Sequence, residues 1–215
     1  MTKDADRAKL IAAKEAWARD RRVVTARRAG AETWLPPGQD PVTDWPVLDL
    51  GRQPLIATRD WILTAGGEVE RPLRWRWTDF MAQPQAESLS DIHCVTGWSR
   101  RHNRWRGVLA RHLLSLARPR PSVRHVVVHG YDGYTTDMTL EEFAAEDALI
   151  AHGWEGAPLA REHGGPARLI APSRYFWKSA KWIRHVVFLT KPVKGFWEAR
   201  GYHRRGDPWV EERYG

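Results

Sequence analysis

Within its 215 residues the chain has one cysteine, three methionines and no apolar run near the roughly 20 residues that span a bilayer. A single thiol excludes an internal disulfide and every multi-thiolate zinc or iron–sulfur site. Three roles stay open for Cys94: a buried structural thiol, a nucleophile, or a lone thiolate ligand to a metal. Neither a GxGxxG turn nor a P-loop is present, which removes the common nucleotide sites. No internal repeat is visible. The first residues, MTKDADRAKLIAAKEAWARDRR, are charged throughout and lack the apolar core of an export signal. The pair Arg21-Arg22 is not followed by the apolar stretch of a twin-arginine signal. A cytoplasmic protein without a membrane span is expected.

What the chain does contain is a globular balance, with 42% hydrophobic and 28% charged residues. Its length suffices for one substantial core. The net charge of +8 and thirteen tryptophans offer a basic, base-stacking nucleic-acid module as an alternative. The distribution argues against it: residues 1–30 hold nine Lys/Arg and four Asp/Glu, so the other 185 residues carry only +3. A solvated basic helix accounts for that excess.

The pattern predicts a helix over residues 4–28, with Leu10, Trp17 and Val24 on one stripe that docks on the parent domain. Residues 34–46 (WLPPGQDPVTDWP) read as a linker running over the surface. In LRWRW at 73–77 apolar residues alternate with arginines, the period of a half-buried strand. A short helix is predicted around 108–117, and a capping box at Thr139 and Glu142 starts another that runs to about Glu146. Further strands fall at 125–129, 149–151, 167–171 and 183–189. Strands and short helices mix without βαβ alternation, so the fold class is α+β. The division expected is 1–33, basic helix and linker, and 34–215, one domain.

The most informative stretch is DIHCVTGWSR at 91–100. The only cysteine opens a turn-forming segment and precedes the cationic residues Arg100, Arg101, His102 and Arg104. Such charge lowers a thiol's pKa and favours the thiolate, a soft ligand suited to a transition metal.

This segment resembles the metal-ligand loop of the sulfite-oxidase-like molybdopterin-dependent oxidoreductases, whose small bacterial, single-domain members share HCVxGWS. Three more blocks are similar to that family, in order. HGGPARLIAP at 163–172 with YFWKSAKW at 175–182 resembles its GxPxRLxxP strand and KSxK loop. YDGYTTDMTL at 131–140 resembles the stretch placing a tyrosine beside molybdenum, and GFWEARGYHRRGDPW at 195–209 the small members' tail. The likeness covers roughly residues 34–215.

The resemblance implies the mixed sulfite-oxidase catalytic-domain fold, carrying molybdenum with molybdopterin and preceded by the basic N-terminal helix. It implies oxygen-atom transfer, as sulfite oxidation or sulfoxide-type reduction, with Cys94 as the thiolate ligand and Tyr134 near the metal's substrate face. His129 and His163 correspond to polar cofactor contacts. Lys178, Ser179 and Lys181 suit an anion site for the cofactor's phosphate. Arg168, within a predicted strand, calls for a phosphate or carboxylate partner. The family's C-terminal immunoglobulin-like and N-terminal haem domains have no counterpart, so a monomer using a separate electron-transfer partner is expected. The arginine-x-histidine segment of animal and plant sulfite oxidases is missing from the corresponding PVLDLGR at 46–52, which puts sulfite in doubt. A non-catalytic molybdopterin-binding relative is the remaining alternative.

Overall fold

The computed structural model describes residues 3–19 and 34–215. Among them the strands form two sheets. The first, of six strands, runs β1 (Asp40–Pro41), β5 (Trp98–Leu109), β8 (Leu149–Trp154), β10 (Arg168–Ile170), with β4 (Ala86–His93) paired to β5 and β9 (Ala157–Pro158) to β8. The second, of five, has the order β3 (Leu73–Arg76), β2 (Ile62–Gly67), β11 (Ile183–Leu189), β6 (His125–Gly130), β7 (Thr135–Thr139). Here β11 is parallel to β2 and antiparallel to β6.

The pleat explains why β8 and β10 are apolar on both faces. Ile150 and Leu169 point into the core shared by the two sheets, together with Val126, Val186 and Phe188. Their neighbours Leu149, Ala151 and Ile170 point the other way, into a second cluster built around Trp45 and Trp105. Gly107 is needed where β5 meets β8, because a Cβ there would lie 2.1 Å from the Ile150 carbonyl oxygen.

Several expectations change. Residues 34–46 are no mere surface linker: Asp40 and Pro41 pair with β5, and Leu35 and Trp45 are buried. Val108 and Leu109 end β5 by pairing with β8, so the helix that follows α2 (Trp77–Met81), α3, starts at Ala110 (Ala110–Ala117). The capping box at Thr139 holds, with its hydroxyl accepting from the Glu142 amide, but helix α4 is a single turn (Leu140–Phe143). Residues 131–140 form a turn, β7 and the first residue of α4. Of the tryptophans at strand-like or helix-like positions, Trp61, Trp75, Trp105 and Trp182 are buried and Trp77 is half-buried against the core, which takes these rings from a base-stacking surface.

The N-terminal helix is α1 (Lys3–Arg19). It docks as expected but through a different face. Ile11 packs on the core while Leu10 is 44% exposed, its Cδ1 beside Gly51. The Trp17 side chain and Val24 lie outside the described residues. Among the described residues no helix is long and apolar enough to cross a membrane.

Candidate functional site

Cys94 sits at the tip of the β4–β5 hairpin. Its amide donates to the Trp98 carbonyl (2.8 Å), and the Gly97 amide donates to the Cys94 carbonyl (3.0 Å). Gly97 has φ +99°, a value open to glycine and strained for other residues, so the turn can form. The Thr96 hydroxyl donates to Cys94 Sγ at 3.1 Å.

A buried chain of polar groups braces this turn from behind. Gln39 Nε2 donates to the Cys94 carbonyl (3.1 Å), and the Ser99 hydroxyl donates to Gln39 Oε1 (3.1 Å). His93 Nδ1 lies 2.8 Å from the Ser99 oxygen. That hydroxyl's one proton is already directed at Gln39, so Nδ1 carries the hydrogen here. Burial lowers the His93 pKa to about 4, so the ring is neutral. Arg213, 4% exposed, donates to the carbonyls of Val95, Gly38 and Pro37. Ser99 is the last residue of the HCVxGWS block, whereas Gln39 and Arg213 carried no sequence signal.

The cations acting on the thiol are also not those expected. Burial raises the Cys94 pKa; Thr96, Lys14 and Arg213 oppose it. The run from Arg100 to Arg104 points elsewhere: the Arg100 guanidinium sits over Trp154 (4.7 Å) and that of Arg101 over Trp34 (5.3 Å).

Cys94 opens onto a cleft whose lining also includes Tyr134, Arg168, Ser179 and Lys181, so five of the predicted site residues meet there. Trp45, Trp98, Trp177 and Trp182 give it flat aromatic surfaces. Residues 46 and 48–50 form part of its rim. Arg168 is 1% exposed, yet its guanidinium donates only to backbone carbonyls, of His163 (2.8 Å), Ser179 (2.6 Å) and Leu169 (3.3 Å). It makes no ion pair among the described residues. Burial depresses its pKa to about 9. Lys181 is pulled to about 7, first by burial and then by Arg168. Lys181 Nζ donates to the Glu162 carbonyl (2.6 Å), and Asp49 and Asp132 act on it from the cleft without forming an ion pair among the described residues. The Ser179 hydroxyl accepts from the Ala171 amide (2.9 Å), which fixes the turn between them.

Tyr134 is buried, and its hydroxyl donates to the Trp177 carbonyl at 2.6 Å. Burial, with Glu198 and Asp132 adding, raises its pKa well above the ordinary value, so it stays protonated. Asp132, absent from the predicted set, also lines the cleft and accepts from the Tyr134 amide (3.0 Å).

Three predicted residues are not brought to the cleft. Lys178 is fully buried, donating to Glu198 Oε1 (2.6 Å), the Asp137 carbonyl (2.7 Å) and Asp137 Oδ1 (3.3 Å). Its charge is already matched, so it is no free anion anchor. His129 lies on β6, its ring 5.7 Å from that of His185 on the neighbouring strand. His163 stacks on Trp45 at 3.8 Å, behind the lining, and its Nδ1 is buried without a hydrogen-bond partner among the described residues. Burial, then Arg168, lowers its pKa to about 4. No group of three or more His, Cys, Asp or Glu that could hold a metal exists among the described residues.

Residues 50–197 match the family described as the oxidoreductase molybdopterin binding domain. The chain is 43% identical over 181 residues to the uncharacterized oxidoreductase YuiH of Bacillus subtilis, covering 84% of this chain and 91% of that protein. It is 27% identical to the protein-methionine-sulfoxide reductase catalytic subunit MsrP of Campylobacter jejuni, over 66% of this chain. It is 25% identical to MsrP of Pseudomonas syringae, over 73%. The chain spans 53% of the length of each MsrP. The fold is also that of the sulfane dehydrogenase SoxCD from Paracoccus pantotrophus (TM-score 0.61, 22% identity, 66% of this chain and 41% of that one). The chain therefore belongs to the oxidoreductase molybdopterin binding domain family and is a molybdopterin-dependent oxidoreductase of the sulfite-oxidase type.

Proposed function

We propose that the chain reduces a sulfoxide-type substrate by oxygen-atom transfer, with Cys94 Sγ as the protein's ligand to molybdenum. The observation that carries this reading is that the only thiol and an under-compensated buried arginine face one aromatic-walled cleft. The residues present fit the cofactor. Arg168 and Lys181 match its phosphate, the tryptophan walls match a flat pterin, and Cys94 supplies a single soft donor where no multidentate protein site exists among the described residues. When bound, the cofactor supplies the two-electron redox change and the centre to which oxygen transfers.

Reduction is favoured over sulfite oxidation by the MsrP relatives. In the overall reaction the S–O bond breaks, sulfur gains two electrons from a separate donor, and oxygen leaves with two protons as water. The Trp walls exclude solvent, and Tyr134 presents an aromatic edge and a hydroxyl whose proton is held by Trp177. The test is molybdenum and pterin content of protein from a cofactor-competent host, with sulfoxide reduction driven by reduced methyl viologen. Stoichiometric cofactor with turnover is expected; cofactor with no turnover on any sulfoxide would return the reading to sulfite-type oxidation.

Two outcomes arise directly from the geometry. Arg168→Met removes a charged donor worth roughly 1.5–3 kcal/mol. Pterin retention after gel filtration should therefore weaken by about one to two decades. Retention equal to wild type would remove Arg168 from the anchor. Lys181 adds a sign: its free-state pKa of about 7 means cofactor affinity is fully expressed below that pH and declines above it. Tyr134→Phe leaves the Trp177 carbonyl unpartnered, so stability should fall by about 1–3 kcal/mol alongside an about tenfold loss of turnover at full metal content. Unchanged turnover would make Tyr134 structural.

A further inference from the structure

Helix α1 crosses one edge of the cleft from wall to wall. Arg7 and Leu10 close on Gly51, next to the lining residues Asp49 and Leu50. Eight residues further on, roughly 12 Å of helix, Glu15 pairs with Arg200 at 2.9 Å, beside the lining residue Trp197. Between these supports Lys14 faces inward, its Nζ 5.4 Å from the centre of the Trp197 ring. It is the α1 residue in the lining, and among the described residues its ammonium has neither a hydrogen-bond acceptor nor an ion-pair partner.

Lys14 lines the same cleft as the thiol and, with Arg213, is a cation acting on Cys94; it also acts on Lys181, more weakly than Arg168 does. Asp49 acts on Lys14 across the cleft but makes no ion pair with it: its oxygens accept from the Gly51 amide (2.7 Å) and from Gln53 (2.8 Å), and Asp132 accepts from the Tyr134 amide. With Arg168 and Lys181 matched to the cofactor's phosphate, one cation is left over near the thiol. It comes from a helix outside residues 50–197, the part matched to the family.

We propose that Lys14 is a specificity-determining residue that receives the anionic group of a small substrate, with α1 as the strap that carries it across the cleft. This rests on the sulfoxide-reduction reading. The substrate class is then a small sulfoxide bearing a carboxylate or similar anion.

The test uses full-length holoenzyme with Lys14→Met, which keeps the apolar stem, and Lys14→Arg, which keeps the charge. Substrates are N-acetylmethionine sulfoxide, an anion, and dimethyl sulfoxide, with reduced methyl viologen as donor. In the Met variant KM for the anionic sulfoxide should rise about ten- to hundredfold, the loss of one charge-assisted contact. Any change in kcat from the charge lost beside Cys94 should be shared by both substrates, while KM for dimethyl sulfoxide stays within about twofold and the Arg variant retains the preference. Equal changes in KM for both substrates, or loss of pterin from the Met variant, would overturn the proposal. A titration of each holoenzyme with sulfate, followed by tryptophan fluorescence, reads the same cation without turnover. Should wild type reduce neither sulfoxide, the sulfoxide reading fails. The titration then decides alone, weaker sulfate binding in Met than in Arg supporting Lys14 and equal binding refuting it.

Discussion

Cys94→Ser should lower sulfoxide turnover by roughly 10³-fold or more, a barrier increase of about 4 kcal/mol, while the protein stays folded and keeps its pterin. The two halves of that expectation have separate structural causes. Sγ is the cleft's only soft donor, and an alcohol at the same position is a far poorer ligand at neutral pH. The hairpin turn, however, is held by backbone bonds through Trp98 and Gly97 and by Gln39 and Arg213, none of which involves sulfur. The Thr96 hydroxyl that donates to Sγ can donate to a serine oxygen instead. Arg168 and Lys181 retain the phosphate end. Molybdenum content, pterin content and the thiolate-to-metal absorption band separate these effects. A serine variant with stoichiometric metal and an unchanged spectrum would refute ligation by Cys94. One that loses pterin together with metal would show that the turn supports the whole cofactor.

How much of this was legible in the sequence depends on whether a residue's partners are near or far along the chain. The strands at 125–129 and 183–189 were readable because runs of valine and isoleucine are buried on a pleated sheet whatever they meet. The capping box at Thr139 was readable because its two hydrogen bonds close within three residues. The long strand β5 was missed although Arg104, Trp105 and Arg106 alternate as 73–77 do. Its outward face is so rich in arginine that Val108 and Leu109 looked like the start of the next helix. Trp45 was assigned to a surface linker because its partners, Trp105 and His163, lie 60 and more residues away.

The site divides in the same way. Cys94 and Arg168 stood out because a lone thiol in a turn and a charge inside a strand are each locally anomalous. The direction of the charge acting on the thiol was misjudged, since neighbours in sequence along β5 alternate between faces and the cations that matter come from α1 and the C-terminal tail. Lys178 and Lys181, three apart, looked equivalent. The backbone between them turns through residues 178–179 and sends one inward to Asp137 and Glu198 and the other to the cleft.

That difference gives the second large effect. Lys178→Met should reduce the free energy of unfolding by about 3–5 kcal/mol, because it strands a buried carboxylate rather than removing a surface charge. Glu198 is 3% exposed, and with the lysine gone its Oε1 keeps only the Trp177 indole N–H (2.9 Å) and a long contact to the Thr136 hydroxyl (3.5 Å). Asp137 suffers less, since Arg204 still pairs with Oδ2 at 2.8 Å. Most of the loss therefore traces to Glu198, and adding Glu198→Gln to the Met variant should recover a large share of it by removing the unpaired charge. Urea unfolding of the two single variants and the double variant measures this directly. The same network reaches the cleft indirectly, through the Trp177 carbonyl that holds the Tyr134 hydroxyl. Turnover should consequently fall in the Met variant while its pterin content, measured under conditions where it is still folded, stays near wild type. A Lys178→Met protein with an unchanged urea midpoint and lost pterin would restore Lys178 to the phosphate anchor that its spacing from Lys181 first suggested.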